Sequence, residues 1–202
     1  MKPLDSAKQG LPTRVDDISE IETLSTRDWV DAARALLVRE GIDAVKVGRI
    51  AKECGVTRGG FYWRFRDRGE LLDELLKEWR ETNTAPLIAT LRAPGTPAER
   101  FTAAAMLWID EEGFDPRFDT AVRAWASGSP DVAEVVRTVD AERLGAFTDL
   151  FRDAGYADDE AMVRARIVYF HQIGYYALHI EESHEERKAL SPLYFRILTG
   201  FL

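Results

Sequence analysis

The stretch VGRIAKECGVTRGGF, running from Val47 to Phe61, decides how the rest of the chain is read. Ile50, Val56 and Phe61 are apolar and spaced to fill the gap between two short crossing helices. Ala51 is small enough to let those helices pack closely. Gly55 falls at the turn between them, where a left-handed backbone is needed and glycine adopts it without steric cost. Thr57 stands where a hydroxyl can cap the second helix, whose free N–H groups and positive dipole end then face a phosphate or a base edge. A small residue, a turn glycine and three apolar positions in this register form a helix-turn-helix pattern. The charge agrees. Lys46 to Arg68 carries seven basic and two acidic residues, a net +5, on a chain whose total is −8; Leu71 to the C-terminus carries −9. One basic block on an acidic body suits a small DNA-reading module attached to a part that does not touch DNA. A solvated helical hairpin is the blander alternative.

Working outward, Ser25 and Asp28 form a capping-box pattern with Asp in place of Glu. Trp29, Val30, Ala33, Leu36 and Leu37 then make one apolar helical face, which Gly41 ends. On the other side a helix begins near Asp67 and carries Leu71, Leu72, Leu75, Leu76 and Trp79. Pro94-Gly95, Gly113 to Pro116, Gly128 to Pro130, Gly155 and Pro192 punctuate the remainder. Between them lie helical patterns over about 97–111, 117–126, 131–153 and 159–182, with a last helix ending near Thr199; Pro192 marks a start or kink in it. Alternating strand patterns, internal repeats and low-complexity tracts are absent. The expected class is all-α with about nine helices. A homeodomain-like helix-turn-helix domain of three helices (residues 24–70) follows a flexible tail (1–23) and precedes a helical ligand-binding and dimerisation domain (71–202).

Over residues 24–80 the chain resembles the DNA-binding domain of the TetR/AcrR family of bacterial transcriptional regulators. The resemblance rests on Asp31-Ala-Ala33, Glu40-Gly41, Ile50-Ala51, Gly55-Val-Thr-Arg-Gly59, Phe61-Tyr-Trp-Arg-Phe65, Asp67-Arg68 and Leu71-Leu72. It implies that Thr57 and Arg58 open the recognition helix, with Arg58 placed to read guanine O6 and N7. It further implies that Tyr62, Arg64 and Arg68 meet backbone phosphate, that Lys46 clamps the flanking strand, and that Phe65 is core. Gly60 stands where many members carry Ser or Thr. The pair Gly59 and Gly60 costs roughly 1 kcal/mol per residue against alanine in a helix, and lets the backbone approach a phosphate. Trp63 is read equally as a packing residue or as a contact to a thymine methyl or sugar.

The body is rich in aromatic residues. Trp79, Phe101, Trp108, Trp125, Phe147 and Phe151, with His171 and Tyr175, are the candidates for a partly aromatic pocket holding a small, largely apolar effector; a histidine such as His171 is more often a satisfied interior or interface residue. Ile167, Phe170, Gly174, Ala177 and Ile180 form a stripe on which a second copy of the chain would pack, as the last two helices of the family do. The expected partners are therefore double-stranded DNA bearing a near-palindromic site, a second subunit and a small molecule.

Other classes have less support. His171, His179 and His184, near Glu181, Glu182, Glu185 and Glu186, lack a standard metal-ligand spacing. There is no Gly-rich phosphate loop and no nucleophile elbow. No enzyme activity, metal or cofactor is expected; the alternatives are a helical protein-interaction module or a small helical enzyme. At 46% hydrophobic residues the chain can bury a core. The lone Cys54 permits no internal disulfide, the N-terminus carries no secretory signal, and no apolar run is long enough to span a bilayer. The expected location is the cytoplasm.

Overall fold

The computed structural model describes residues 24–178 and 180–200; the expected tail over residues 1–23 and His179 lie outside the described residues. Among those residues the secondary structure is helical throughout. The order is α1 (Thr26–Glu40), a 3-10 turn (Ile42–Ala44), α2 (Val47–Glu53), α3 (Arg58–Tyr62), α4 (Arg68–Asn83), α5 (Ala85–Leu91), α6 (Pro97–Asp110), α7 (Pro116–Ala126), α8 (Pro130–Asp153), α9 (Asp158–Ala177) and α10 (His184–Thr199). Nine of the ten α-helices are those the sequence pattern delimits; α5 is the addition. Thr84 departs from helical geometry and Pro86 occupies the first turn of α5, where its missing N–H is harmless.

Local chemistry fixes the helix ends. The Ser25–Asp28 box forms in both directions: the Ser25 N–H donates to the Asp28 carboxylate at 2.7 Å, and the Asp28 N–H donates to the Ser25 hydroxyl at 3.2 Å. Equivalent boxes start α6 (Thr96 and Glu99) and α10 (Ser183 and Glu186). Gly55 has φ +69°, as the turn between α2 and α3 requires. α9 stops at Ala177, short of the expected 182, and Pro192 lies inside α10.

Two cores hold the molecule together. The first joins Trp29, Leu36, Ile50, Phe61 and Phe65 to Leu71, Leu75 and Trp79 of α4, and continues into Phe118, Val122 and Trp125 of α7 and Val132, Val136 and Val139 of α8. It therefore runs past residue 70. The second packs Leu87, Leu91, Phe101, Trp108 and Phe114 against Phe147, Leu150, Phe151, Ala165 and Val168. Polar ties reinforce the junction of head and body. The Arg34 guanidinium on α1 donates to Glu78 at 3.1 Å and to Asp115 at 2.6 Å and lies over the Phe118 ring. The Asn83 side-chain amide, at the end of α4, donates to the Asp115 carbonyl at 2.7 Å.

Candidate functional site

α2 and α3 cross around Ile50, Ala51 and Phe61, all buried, with Phe61 edge-on to Trp29 and stacked on Phe65. This packing turns the next residues outward. Tyr62 is 63% exposed and Trp63, at the end of α3, is 89% exposed. Lys46, Thr57, Arg58, Gly59 and Arg64 are exposed around them, with Gly60 half-buried. Such exposure removes the packing reading of Trp63.

Three expected roles change in detail. Thr57 stands at the N-cap of α3, but its hydroxyl makes no cap bond; its carbonyl accepts from the Gly60 N–H instead, and the side chain faces solvent. Arg58 lies back against α2: a Cβ built on Gly48 would fall 2.4 Å from its guanidinium, so glycine there makes room for the arginine at rest. Arg68 is turned inward. Its Nε donates to the Val45 carbonyl at 2.6 Å and one terminal nitrogen to the Ile42 carbonyl at 3.0 Å. In the free chain Arg68 thus braces the turn before α2, sharing the Ile42 carbonyl with the Val45 N–H. The Arg64 Nε donates to the Leu24 carbonyl at 3.2 Å while the side chain stays exposed. Gly59 and Gly60 have negative φ, and an added Cβ would meet only ordinary contacts, 3.5 Å from Thr57 and 3.9 Å from Trp29. Nothing within the subunit requires glycine at either position.

The aromatic residues of the body divide. Trp79 and Trp125 belong to the first core, and Phe147 and Phe151 are wholly buried in the second. None of these four lines the cavity that the other candidates share. Phe101, Trp108, His171 and Tyr175 line one common cavity between α6, α9 and α10, together with Val168, Gln172, Glu182, Arg187, Ser191, Tyr194, Phe195 and Leu198. Its volume is about 60 Å³.

Beside it lies a buried polar network that the sequence reading missed. Asp119 is 2% exposed and accepts from the Trp79 indole N–H (3.0 Å), Arg143 (3.0 Å) and Arg123 (2.8 Å). Arg143, fully buried, also donates to the Thr84 hydroxyl at 2.8 Å. Arg123 grips Asp140 with two nitrogens, and the Tyr169 hydroxyl donates to Asp140 at 2.6 Å. Burial pushes the Asp119 carboxyl up, but the guanidiniums of Arg143 and Arg123 outweigh it and hold it below the usual carboxylate range. Burial pushes the Tyr169 hydroxyl up to about 12, against the opposing pull of the two arginines. The network links α4, α7, α8 and α9. A signal existed: Arg143 falls on the apolar stripe of Val136, Val139, Phe147 and Leu150, where a solvated arginine has no place.

The stripe proposed for a second copy is exposed. Ile167 is 51% and Phe170 58% exposed, Ile180 and Ala177 are also open, and an added Cβ at Gly174 would meet nothing within 4 Å. The apolar surface is larger than expected, taking in Val163 and Leu178 near α9 and Leu190, Leu193, Tyr194 and Ile197 on α10.

Residues 30–75 match the family model of the bacterial regulatory proteins of the tetR family. The match falls on the helix-turn-helix. The chain is 38% identical over 79 residues to the HTH-type transcriptional regulator AcrR of Shigella flexneri, covering 38% of this chain and 36% of that protein. It is 35% identical over 54 residues to the HTH-type transcriptional regulator TtgR of Pseudomonas putida, covering 27% and 26%. The matched part thus spans about a third or less of these relatives' length. Beyond the head the likeness is one of fold. The solved structure of Salmonella enterica GusR superposes with a TM-score of 0.69 over 88% of this chain and 94% of its own, at 18% identity. No helix among the described residues is long and apolar enough to cross a membrane.

Proposed function

We propose that this chain is a sequence-specific DNA-binding transcriptional regulator, a homodimeric cytoplasmic repressor that a small ligand releases from a near-palindromic site. The observation that carries this reading is the outer surface of α3, where Tyr62 and Trp63 stand exposed among Lys46, Thr57, Arg58 and Arg64 on an otherwise acidic chain. Tyr62 rests one edge on Phe61 and leaves most of its ring open, and Trp63 is almost wholly exposed; two such rings in a cationic setting suit sugar, phosphate and thymine methyl contacts in a major groove. Arg58 swings from its rest on Gly48 to a guanine edge; Tyr62 donates to phosphate; Lys46 and Arg64 fix the flanking backbone.

Release needs a path from the body to the head. Gln172 in the cavity wall and Tyr169 in the buried network are both buried on α9, one turn apart. The network ends at the Trp79 indole on α4, the helix that leads from the recognition unit. A ligand that fits one placement of α9 better than another biases α4 in proportion to that difference in affinity.

The test is titration of labelled duplex DNA, random and selected, at low and moderate salt. Binding must weaken steeply with salt. Arg58→Ala should lower affinity for the selected site by about 1–3 kcal/mol and leave the fold unchanged. Equal loss on random DNA would restrict Arg58 to phosphate, and no binding to either duplex ends the proposal.

A further inference from the structure

The walls of the cavity between α6, α9 and α10 differ in chemistry. Phe101, Trp108, Phe195 and Leu198 give it an apolar side. Gln172, in the same lining, is only 7% exposed, and its Nε2 is buried with no hydrogen-bond partner among the described residues. A buried amide donor left unpaired is costly enough that native proteins seldom keep one without a use for it. Arg187 also lines the cavity. Its side chain is mostly buried, its guanidinium lies 4.5 Å from the Tyr175 ring centre, and its ion pair with Glu111 spans 3.8 Å, too long for a hydrogen bond. The carboxylate of the lining, Glu182, is engaged by the Tyr175 hydroxyl at 3.1 Å. Partial burial and the Arg187 charge push the His171 imidazole below its ordinary range. Arg187 is thus the cation of the wall, and Gln172 supplies an unpaired donor in the same lining.

We propose that this cavity binds a small monocarboxylate with a short alkyl tail. The tail lies against Phe101, Trp108 and Phe195, and the carboxylate accepts from the Gln172 amide and pairs with Arg187. The enclosed volume limits the buried part: an apolar cavity of roughly 150 Å³ holds the six carbons of benzene, so about 60 Å³ encloses roughly two to three heavy atoms on that scale, the end of a short tail, and the rest of the guest lies on the open side where His171 and Tyr194 are exposed. A cation would meet Arg187, and a wholly apolar guest would leave the Gln172 donor unpaired. This assignment rests on the reading of the body as a ligand sensor.

The probes are butyrate, its neutral isostere butyramide, and butylammonium, titrated calorimetrically into the full chain with Trp108 fluorescence as a second readout. Butyrate should bind about tenfold or more tightly than butyramide, as a charge-assisted contact requires, and butylammonium should not bind. Gln172→Leu should cut butyrate affinity about tenfold without lowering the Tm of the unliganded protein. Arg187→Gln should erase the preference for butyrate over butyramide. Equal affinity for the two, butyrate binding untouched by Gln172→Leu, or no saturable binding at millimolar butyrate overturns the assignment. DNA titration of the same samples separates the two readings. A chain that ignores butyrate but grips duplex DNA loses this ligand and keeps its regulator role. One that binds butyrate as expected but no DNA keeps the site and loses the regulator role.

Discussion

Asp119 shows what a buried charge does when its partners are complete. Arg143, Arg123 and the Trp79 N–H all donate to it. Removing it leaves two guanidiniums without their shared anion, so Asp119→Ala should cost about 3–5 kcal/mol. Adding Arg143→Met removes the more deeply buried of those cations. The double variant should therefore lie above the sum of the singles by about 1 kcal/mol or more in urea unfolding, and strict additivity would mean that the two side chains do not act as a unit. The pH dependence has a definite sign. Asp119 titrates lower in the fold than in the open chain, so its contribution is present above about pH 4 and lost as pH falls through its folded value. Tyr169 titrates higher, at about 12, so its contribution is present below about pH 10 and lost on rising from there towards 12. Asp119→Asn should flatten the acid limb of the stability profile and Tyr169→Phe should reduce the alkaline one. Gly60 is the opposite kind of residue, one that nothing inside the subunit needs. Gly60→Ala should raise stability by about 0.5–1 kcal/mol through helix propensity. If the glycine exists to let DNA approach, the same change weakens binding; unchanged DNA affinity would show that it does not.

Among the elements, α4 ties the head to the body, and its start is fixed by Arg68 spanning two carbonyls of the turn before α2. Arg68→Ala should lower stability by about 1–3 kcal/mol, the cost of leaving the Val45 carbonyl without its donor, while the salt slope of DNA binding stays that of the parent. A slope shallower by about one unit would return Arg68 to a phosphate. α1 to α3 were legible in the sequence because their signals are local: a capping pair, a turn glycine and apolar residues at helical spacing. The exposed α9 stripe was legible for a related reason, since an apolar face keeps its period whether or not a neighbour covers it. α5 was hidden because a single departure at Thr84 divides what otherwise reads as continuous helix. The pocket was half legible: an aromatic ring gives the same apolar signal in a packed core as in a cavity wall, so Phe147 and Phe151 could not be told from Phe101 and Trp108. Gln172 carried no signal at all, because its lack of a partner is a property of three helices together.

At the scale of the whole molecule, the apolar surface of α9 and α10 is the feature one subunit leaves unfinished. Val163, Ile167 and Phe170 on α9, and Leu190, Leu193, Tyr194 and Ile197 on α10, two helices that touch each other, are all exposed. Large contiguous apolar patches on soluble proteins mark interaction sites, and a face that is to meet its own copy must be self-complementary about a two-fold axis. Two antiparallel helices from each subunit satisfy this as a four-helix arrangement. A near-palindromic site adds a second constraint: the two recognition helices must reach successive major-groove faces about 34–36 Å apart, which one rigid dimer spans and a lone subunit cannot. Ile167 and Ile197 are the residues to change, because at 51% and 68% exposure in the single chain a charge there leaves the subunit's own core intact. Ile167→Asp with Ile197→Asp should give a folded monomer, with helical circular dichroism retained and the mass of one chain by light scattering at micromolar concentration. Affinity for a two-half-site duplex should fall to near that for a single half-site, since the second head no longer gains from the first being bound. Ile180→Asp, at the margin of the same face, should weaken the dimer less. A double variant that stays dimeric would move the interface elsewhere on the molecule, and a true monomer that still binds the palindrome at parental affinity would remove dimerisation from the mechanism of DNA reading.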